Sequence, residues 1–223
     1  MAADVMGYLK AATDSRFAQE FLSAMELPEG ASRIVYDPDN ERLLAYLAQL
    51  SRDGSLTEPD LSSLIKDITE TRAPSFQTYL PRSLLGKGLS SPIFVSDGAF
   101  IDYDSFQVFK SALEDHEGQH TKDARDGILL GDLLLDYSTI RYISERTEAG
   151  IFEVRAYMNQ LKRAYSHGLR YTKYFKAMWN EFLEFSFYFS DPSCQPMSDI
   201  EKCAVDLTVA SCNAFKRAYA AHD

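Results

Sequence analysis

The stretch ALEDHEGQHTKDARDG, residues 112–127, carries two of the chain's four histidines, His116 and His120, with Glu117 between them. The spelling is H-E-x-x-H. On an α-helix, residues i and i+4 lie one above the other on one face, so two imidazoles at this spacing converge on a single Zn2+. Glu117, one step round from His116, reaches past such a metal toward a bound water. There it serves as general base, zinc having lowered the pKa of that water to about 7. The motif has this meaning only on a helix that turns both histidines inward. Phe106, Phe109, Leu113, His116 and His120 follow one another at spacings of 3, 4, 3 and 4, a single helical stripe. The histidines thus continue a buried face. Gly118 either weakens this helix, by about 1 kcal/mol relative to Ala, or marks a close approach of another part of the chain.

A catalytic zinc takes three protein ligands and keeps a fourth position open. Asp123 continues the stripe but lies roughly 10 Å along the helix axis from His116, too far to share one tetrahedral ion with it. It is expected to be a supporting carboxylate behind the ligands or a surface charge. Glu145, Glu148 and Glu153 are the carboxylates that a returning helix can present. Glu153 is the best placed. It begins FEVRAYMNQL, whose inward face would hold Glu153, Ala156, Tyr157, Gln160 and Leu161. A carboxylate heading a stripe that then turns apolar implies a buried charge, and buried charges are paired or metal-bound. A first-turn glutamate favoured by the helix dipole is the competing reading.

Apolar spacing predicts the elements that carry these residues. A helix is expected over 3–26, a short strand at RIVYDP (33–38), a helix over 39–51 capped by Asp39 or Asn40, and another over 57–72 with Thr57 as N-cap. APSFQTYLPRSLLGKGLSSP (73–92) reads as loop. PIFVSDGAFIDYDS has two β-rich runs around Asp97–Gly98, a hairpin signal for residues 92–103. Helices are expected over 104–125, from Asp104 or Ser105, and over 127–147; Gly150 breaks the pattern, and a further helix runs to near Gly168. The aromatic stretch 169–190 is too charged to cross a membrane. It reads as a helix buried on several sides or lying at a subunit contact. A last helix, capped by Ser198, spans 198–220. The expected fold is mainly α with a small β-hairpin or sheet (α+β), the histidine helix packing against a returning helix. Residues 1–90 read as a helical N-terminal region, with room for it to share one domain with 91–223, which carries the site.

Composition sets outer bounds. The 223 residues, 45% hydrophobic and 25% charged, suffice for one sizeable core. A net charge of −10 disfavours nucleic acid and anionic membranes as partners. No apolar run reaches the ~18 residues of a membrane span, and the N-terminus lacks the pattern of a signal peptide. A cytoplasmic protein is therefore expected, although signal-independent secretion would leave no such trace. Cys194, Cys203 and Cys212 match no CxxC site and are expected to be reduced and mostly buried. GxGxxG, P-loop and G-x-S-x-G patterns are absent.

With His116, Glu117 and His120 followed by Glu153, the sequence resembles the zincin metallopeptidases in their gluzincin form. There H-E-x-x-H is followed, a few dozen residues on, by a glutamate on another helix. The resemblance covers residues 92–165. It implies Zn2+ on His116, His120 and Glu153, Glu117 as general base, and a peptide or protein substrate. It also implies an upstream strand whose edge binds extended substrate, a place the hairpin 92–103 would fill. The downstream histidine motif of the thermolysin group is not evident, so the oxyanion stabiliser stays open between Tyr157, one turn after Glu153, and His167. TKDARDG after His120 lacks the metzincin H-x-x-G-x-x-H extension. Two further functions fit the sequence. One is a helical binding or assembly module with a structural or vestigial metal site, a homo-oligomer through helix 169–190. The other is a hydrolase of non-peptide amides that uses the same site.

Overall fold

In a computed structural model, residues 1–70, 75–170, 172–191, 196 and 198–219 are described. Asp4 accepts a hydrogen bond from the Gly7 amide and starts α1 (Val5–Thr13). The helix expected over 3–26 is interrupted at Asp14, whose carboxylate takes the Arg16 amide and guanidinium; a 3₁₀ turn follows, then α2 (Ala18–Ser23). An aspartate that can bond its own downstream backbone competes with the helical ladder. β1 (Ala31–Tyr36), α3 (Glu41–Arg52) and α4 (Glu58–Glu70) lie where the sequence puts them, with Thr57 capping α4. The last two residues of the expected fourth helix, Thr71 and Arg72, fall outside the described residues.

β2 (Phe76–Thr78) emerges from the stretch read as loop. β3 (Ser91–Val95) is buried along its whole length, as an apolar run without alternation requires. It forms the middle of a sheet ordered β1-β3-β2, parallel to β1 and antiparallel to β2. The hairpin expected over 92–103 is therefore not formed. Both edges of β3 are occupied, and after Asp97 the chain makes a short helix, α5 (Gly98–Asp102). The β1–β3 pairing also joins the N-terminal region to the one that carries the histidines.

Ser105 caps α6 (Phe106–Ser111), and a π-helical turn, Ala112–Glu117, leads without a break into α7 (Gly118–Asp126). The helix expected over 127–147 is instead a hairpin followed by a 3₁₀ turn. β4 (Ile128–Leu130) and β5 (Leu133–Leu135) pair antiparallel around Gly131–Asp132. Ile128, Leu130 and Leu135 are buried, whereas Leu129 and Leu134 are exposed, the alternation of a half-buried ribbon. A leucine-rich run satisfies both periods, and the two-residue glycine-containing loop decides between them.

α8 (Glu145–Ser166) starts behind Ser144 and passes Gly150 without a break. A Cβ at Gly150 would lie 2.8 Å from Phe189 Cζ, so this glycine serves close packing and not helix termination. α9 (Lys173–Tyr188) and α10 (Asp199–Tyr219), the latter behind Ser198, close a core with α8 through Phe175, Phe182, Cys212 and Phe215. Phe187 on α9 remains exposed. Cys212 is buried and Cys203 is exposed, both as free thiols; Cys194 falls outside the described residues. The architecture is mainly helical with one small sheet and one hairpin, the α+β class expected. Among the described residues no helix is long and apolar enough to cross a membrane.

A second core surrounds Phe109, which is fully buried and whose ring meets those of Tyr8, Phe21, Phe76, Phe100 and Tyr103. It anchors the rod that ends in the histidines. Phe109→Ala is expected to cost about 3–5 kcal/mol in urea unfolding. Phe187→Ala on the exposed face should change stability by no more than about 0.5 kcal/mol. Equal losses in the two variants would contradict this assignment of the core.

Candidate metal centre

His116 stands at the end of the π turn and His120 on the first turn of α7, still four residues apart. The straight stripe read from the sequence holds for Phe109 and Leu113, both fully buried. The wider π turn then puts Glu117, 8% exposed, into the buried file after Leu113. Turns of this kind recur at functional sites. Gly118 is a point of close approach, since a Cβ there would lie 3.1 Å from Pro28 Cβ.

α8 runs antiparallel to this rod, as the contacts Asp123–Arg155, His116–Tyr157 and Asp115–Asn159 require. It brings Glu153 against both histidines. His116 Nε2 and His120 Nε2 are 3.2 Å apart. Glu153 Oε2 lies 3.5 Å from the first and Oε1 3.5 Å from the second. Two ligand atoms of a tetrahedral zinc, each about 2.0–2.1 Å from the ion, are roughly 3.3 Å apart. The two imidazole nitrogens fit that spacing; the carboxylate presents a different oxygen to each, and with one ligand atom per residue all three lie within 4.8 Å of one another. Among the described residues no fourth His, Cys, Asp or Glu joins the group. The two imidazole side chains are 13% exposed.

The three groups interact with one another. Burial alone would raise the Glu153 carboxyl, but hydrogen bonds from His116 and His120 hold it far below the ordinary carboxylate range. Burial opposes charging of His120, yet hydrogen bonding to Glu153 and the fields of Glu117, Glu153 and Asp123 raise its pKa. A cation in this position would take over the role of the imidazole protons, which metal binding releases.

His120 and Glu153 of the triad border a cleft of about 530 Å³. His120, Glu153 and Glu117 line it together with Leu43 and Leu47 of α3 and Leu64 and Ile68 of α4. β2 forms one wall with Phe76, Gln77 and Thr78. Thr78 Oγ1 donates to Glu117 Oε2 at 3.0 Å. The strand beside the site is therefore β2 and not residues 92–103. Thr78 and Phe152, whose ring lies 6.0 Å from that of His120, escaped the sequence reading. Thr78 sits in a stretch without periodicity, whereas Phe152 precedes Glu153 and was open to inspection.

Tyr157 packs edge-on against His116, with ring centroids 4.5 Å apart. Burial, then the charge of Glu153, raises its pKa, so its hydroxyl keeps the proton. His167 is exposed at the far end of α8, roughly 20 Å along the helix from Glu153, and does not join the group. Asp123 is buried and paired with Arg155. Glu145 and Glu148 line the same cleft without joining the group of His116, His120 and Glu153. No protein-family model, curated protein or solved structure matches the chain.

Burial raises Glu148 to about 7, although Arg82 Nε lies 2.6 Å from its Oε2; Glu145 adds to the rise. A carboxyl whose pKa is higher in the folded state binds more protons there than when unfolded. Its contribution is full below the ordinary 4.5 and is lost as pH climbs toward 7. Glu148→Gln is expected to flatten the decline of unfolding free energy across that window, measured by urea titration at stepped pH. An unchanged slope would remove Glu148 as its source.

Proposed function

We propose that this protein is a zinc-dependent hydrolase acting on peptide bonds. The observation that carries the reading is the convergence of His116, His120 and Glu153 beside a cleft that Glu117 also lines. A structural zinc is closed by four protein ligands, whereas a catalytic one has three and an open side. His116, His120 and Glu153 would hold the ion, which supplies Lewis acidity and a water acidified to a pKa of about 7. Glu117 takes a proton from the attacking water and returns it to the leaving amine. Thr78 holds one oxygen of that carboxylate, leaving the other as proton carrier. Of the two sequence candidates for the oxyanion, Tyr157 is the one that touches a ligand.

The preference for peptides rests on β2, an edge strand of the sheet. Ser96 N donates to Ser75 O, which makes this opposed pair a hydrogen-bonded one. In an antiparallel ladder the pairs alternate, so the backbone groups of Phe76 and Thr78 face outward. An extended chain laid along this edge finds donors and acceptors beside the triad, as in strand addition elsewhere.

Tag-free protein is expected to carry one zinc per chain. Glu117→Gln should keep the metal and lower cleavage of an unstructured protein, followed by mass spectrometry, by roughly 10²–10⁴-fold. His116→Ala should lose both metal and cleavage. Protein without stoichiometric zinc would end the reading, and undiminished cleavage by Glu117→Gln would remove that residue's role.

A further inference from the structure

Three residues beyond His120, Asp123 is 2% exposed, and a carboxylate so buried must be paired. Both of its oxygens are engaged. Arg155 Nε reaches Oδ2 at 2.7 Å; Arg155 Nη2 and Gln119 Nε2 each reach Oδ1 at 2.8 Å. The same guanidinium donates through Nη1 to the Leu129 carbonyl of β4 at 3.3 Å. Arg155 is two residues beyond Glu153 on α8. On the other side of the triad, Asn159 Nδ2 donates to the Asp115 carbonyl at 2.7 Å, next to His116. The helix that brings the carboxylate is thus tied to the helix that brings the imidazoles on both sides of the place where they meet.

We propose that the Asp123–Arg155 fork is a positioning device for the metal triad: it sets the register and roll of α8 against α7 so that Glu153 faces the two histidines. The inference rests on the zinc reading above. Sliding a helix by one residue moves it about 1.5 Å and turns each side chain by about 100°. A metal site, by contrast, tolerates errors of only about 0.2 Å in its bond lengths. Apolar packing between α7 and α8 is non-directional and does not select a roll to that tolerance. A bidentate guanidinium–carboxylate pair does, because both of its bonds are made in only one relative orientation. The fork makes no contact with a ligand atom and does not line the cleft; apart from the field of Asp123 at His120, it acts through the placement of Glu153 against the histidines.

The test is the zinc affinity of the folded protein, measured by competition with a chromophoric chelator, together with the visible spectrum of the Co2+-loaded form. Arg155→Ala would leave Asp123 buried and alone, and it risks unfolding. Two other variants keep the proposal falsifiable. Arg155→Lys retains the charge and loses the fork. The double variant D123L/R155M replaces the ion pair with apolar groups of similar bulk, an exchange that is often neutral or stabilising. Both are expected to melt cooperatively, bind zinc roughly 10–100-fold more weakly, and show an altered cobalt spectrum. A merely structural pair would change the melting temperature and leave affinity and spectrum as in the parent, and that result would overturn the proposal. If the double variant fails to fold, Arg155→Lys decides alone. A parent protein that holds no zinc would overturn the functional reading and this inference with it. A parent that holds zinc beside variants that hold it equally well would overturn the inference alone.

Discussion

One constraint governs the structure: three polar groups, two imidazoles and a carboxylate, meet in a largely buried place between two antiparallel helices. Such groups are expensive to bury unless each satisfies the others or a shared cation. Separations of 3.2 Å and 3.5 Å let them do either. The surroundings answer the same demand. Glu117 takes a bond from Thr78, Asp123 is gripped by Arg155, and Glu148 is paired with Arg82. α8 serves both demands at once, since its Ile151, Val154, Leu161 and Ala164 pack in one of the apolar clusters while Glu153 meets the histidines.

Those clusters explain why the N-terminal residues belong to the site. The aromatic group round Phe109 fixes the rod that carries the histidines, and β1 and β3 support β2, which delivers Thr78 to Glu117. α3 and α4 supply apolar lining to the cleft. The hairpin of β4 and β5 lies between the two helices in sequence, and its Leu129 carbonyl takes a bond from Arg155. A tight ribbon with a two-residue loop reverses the chain economically, so that α8 can return along α7.

Which side chains come together was more legible in the sequence than the elements that carry them. H-E-x-x-H at helical spacing identified His116, Glu117 and His120, and the argument from a buried carboxylate selected Glu153. Helices with strong periodicity, such as α3, α4 and α10, were readable from local signals, although the first amides of α3 donate to Asp37 and not to Asp39 or Asn40. Failures arose where tertiary context overrides local pattern. Asp97–Gly98 spelled a hairpin, but β3 had no free edge to receive it. The leucines of 128–135 fit a helix and a ribbon alike, and Gly150 looked like a breaker when it is a contact surface for Phe189. No local signal marks β2, since three residues acquire strand geometry only by pairing with β3. The π turn is equally silent in the sequence, although it decides that Glu117 and the histidines face different neighbours.

The central claim, that the three side chains form one zinc site, is tested most directly by X-ray diffraction from crystals grown with zinc, with data collected on both sides of the zinc absorption edge. The expected result is a single strong anomalous peak about 2.0–2.1 Å from His116 Nε2, from His120 Nε2 and from a Glu153 carboxylate oxygen, with its remaining side toward the cleft. A map without a peak there, with the histidines and Glu153 bonded only to one another, would contradict the account.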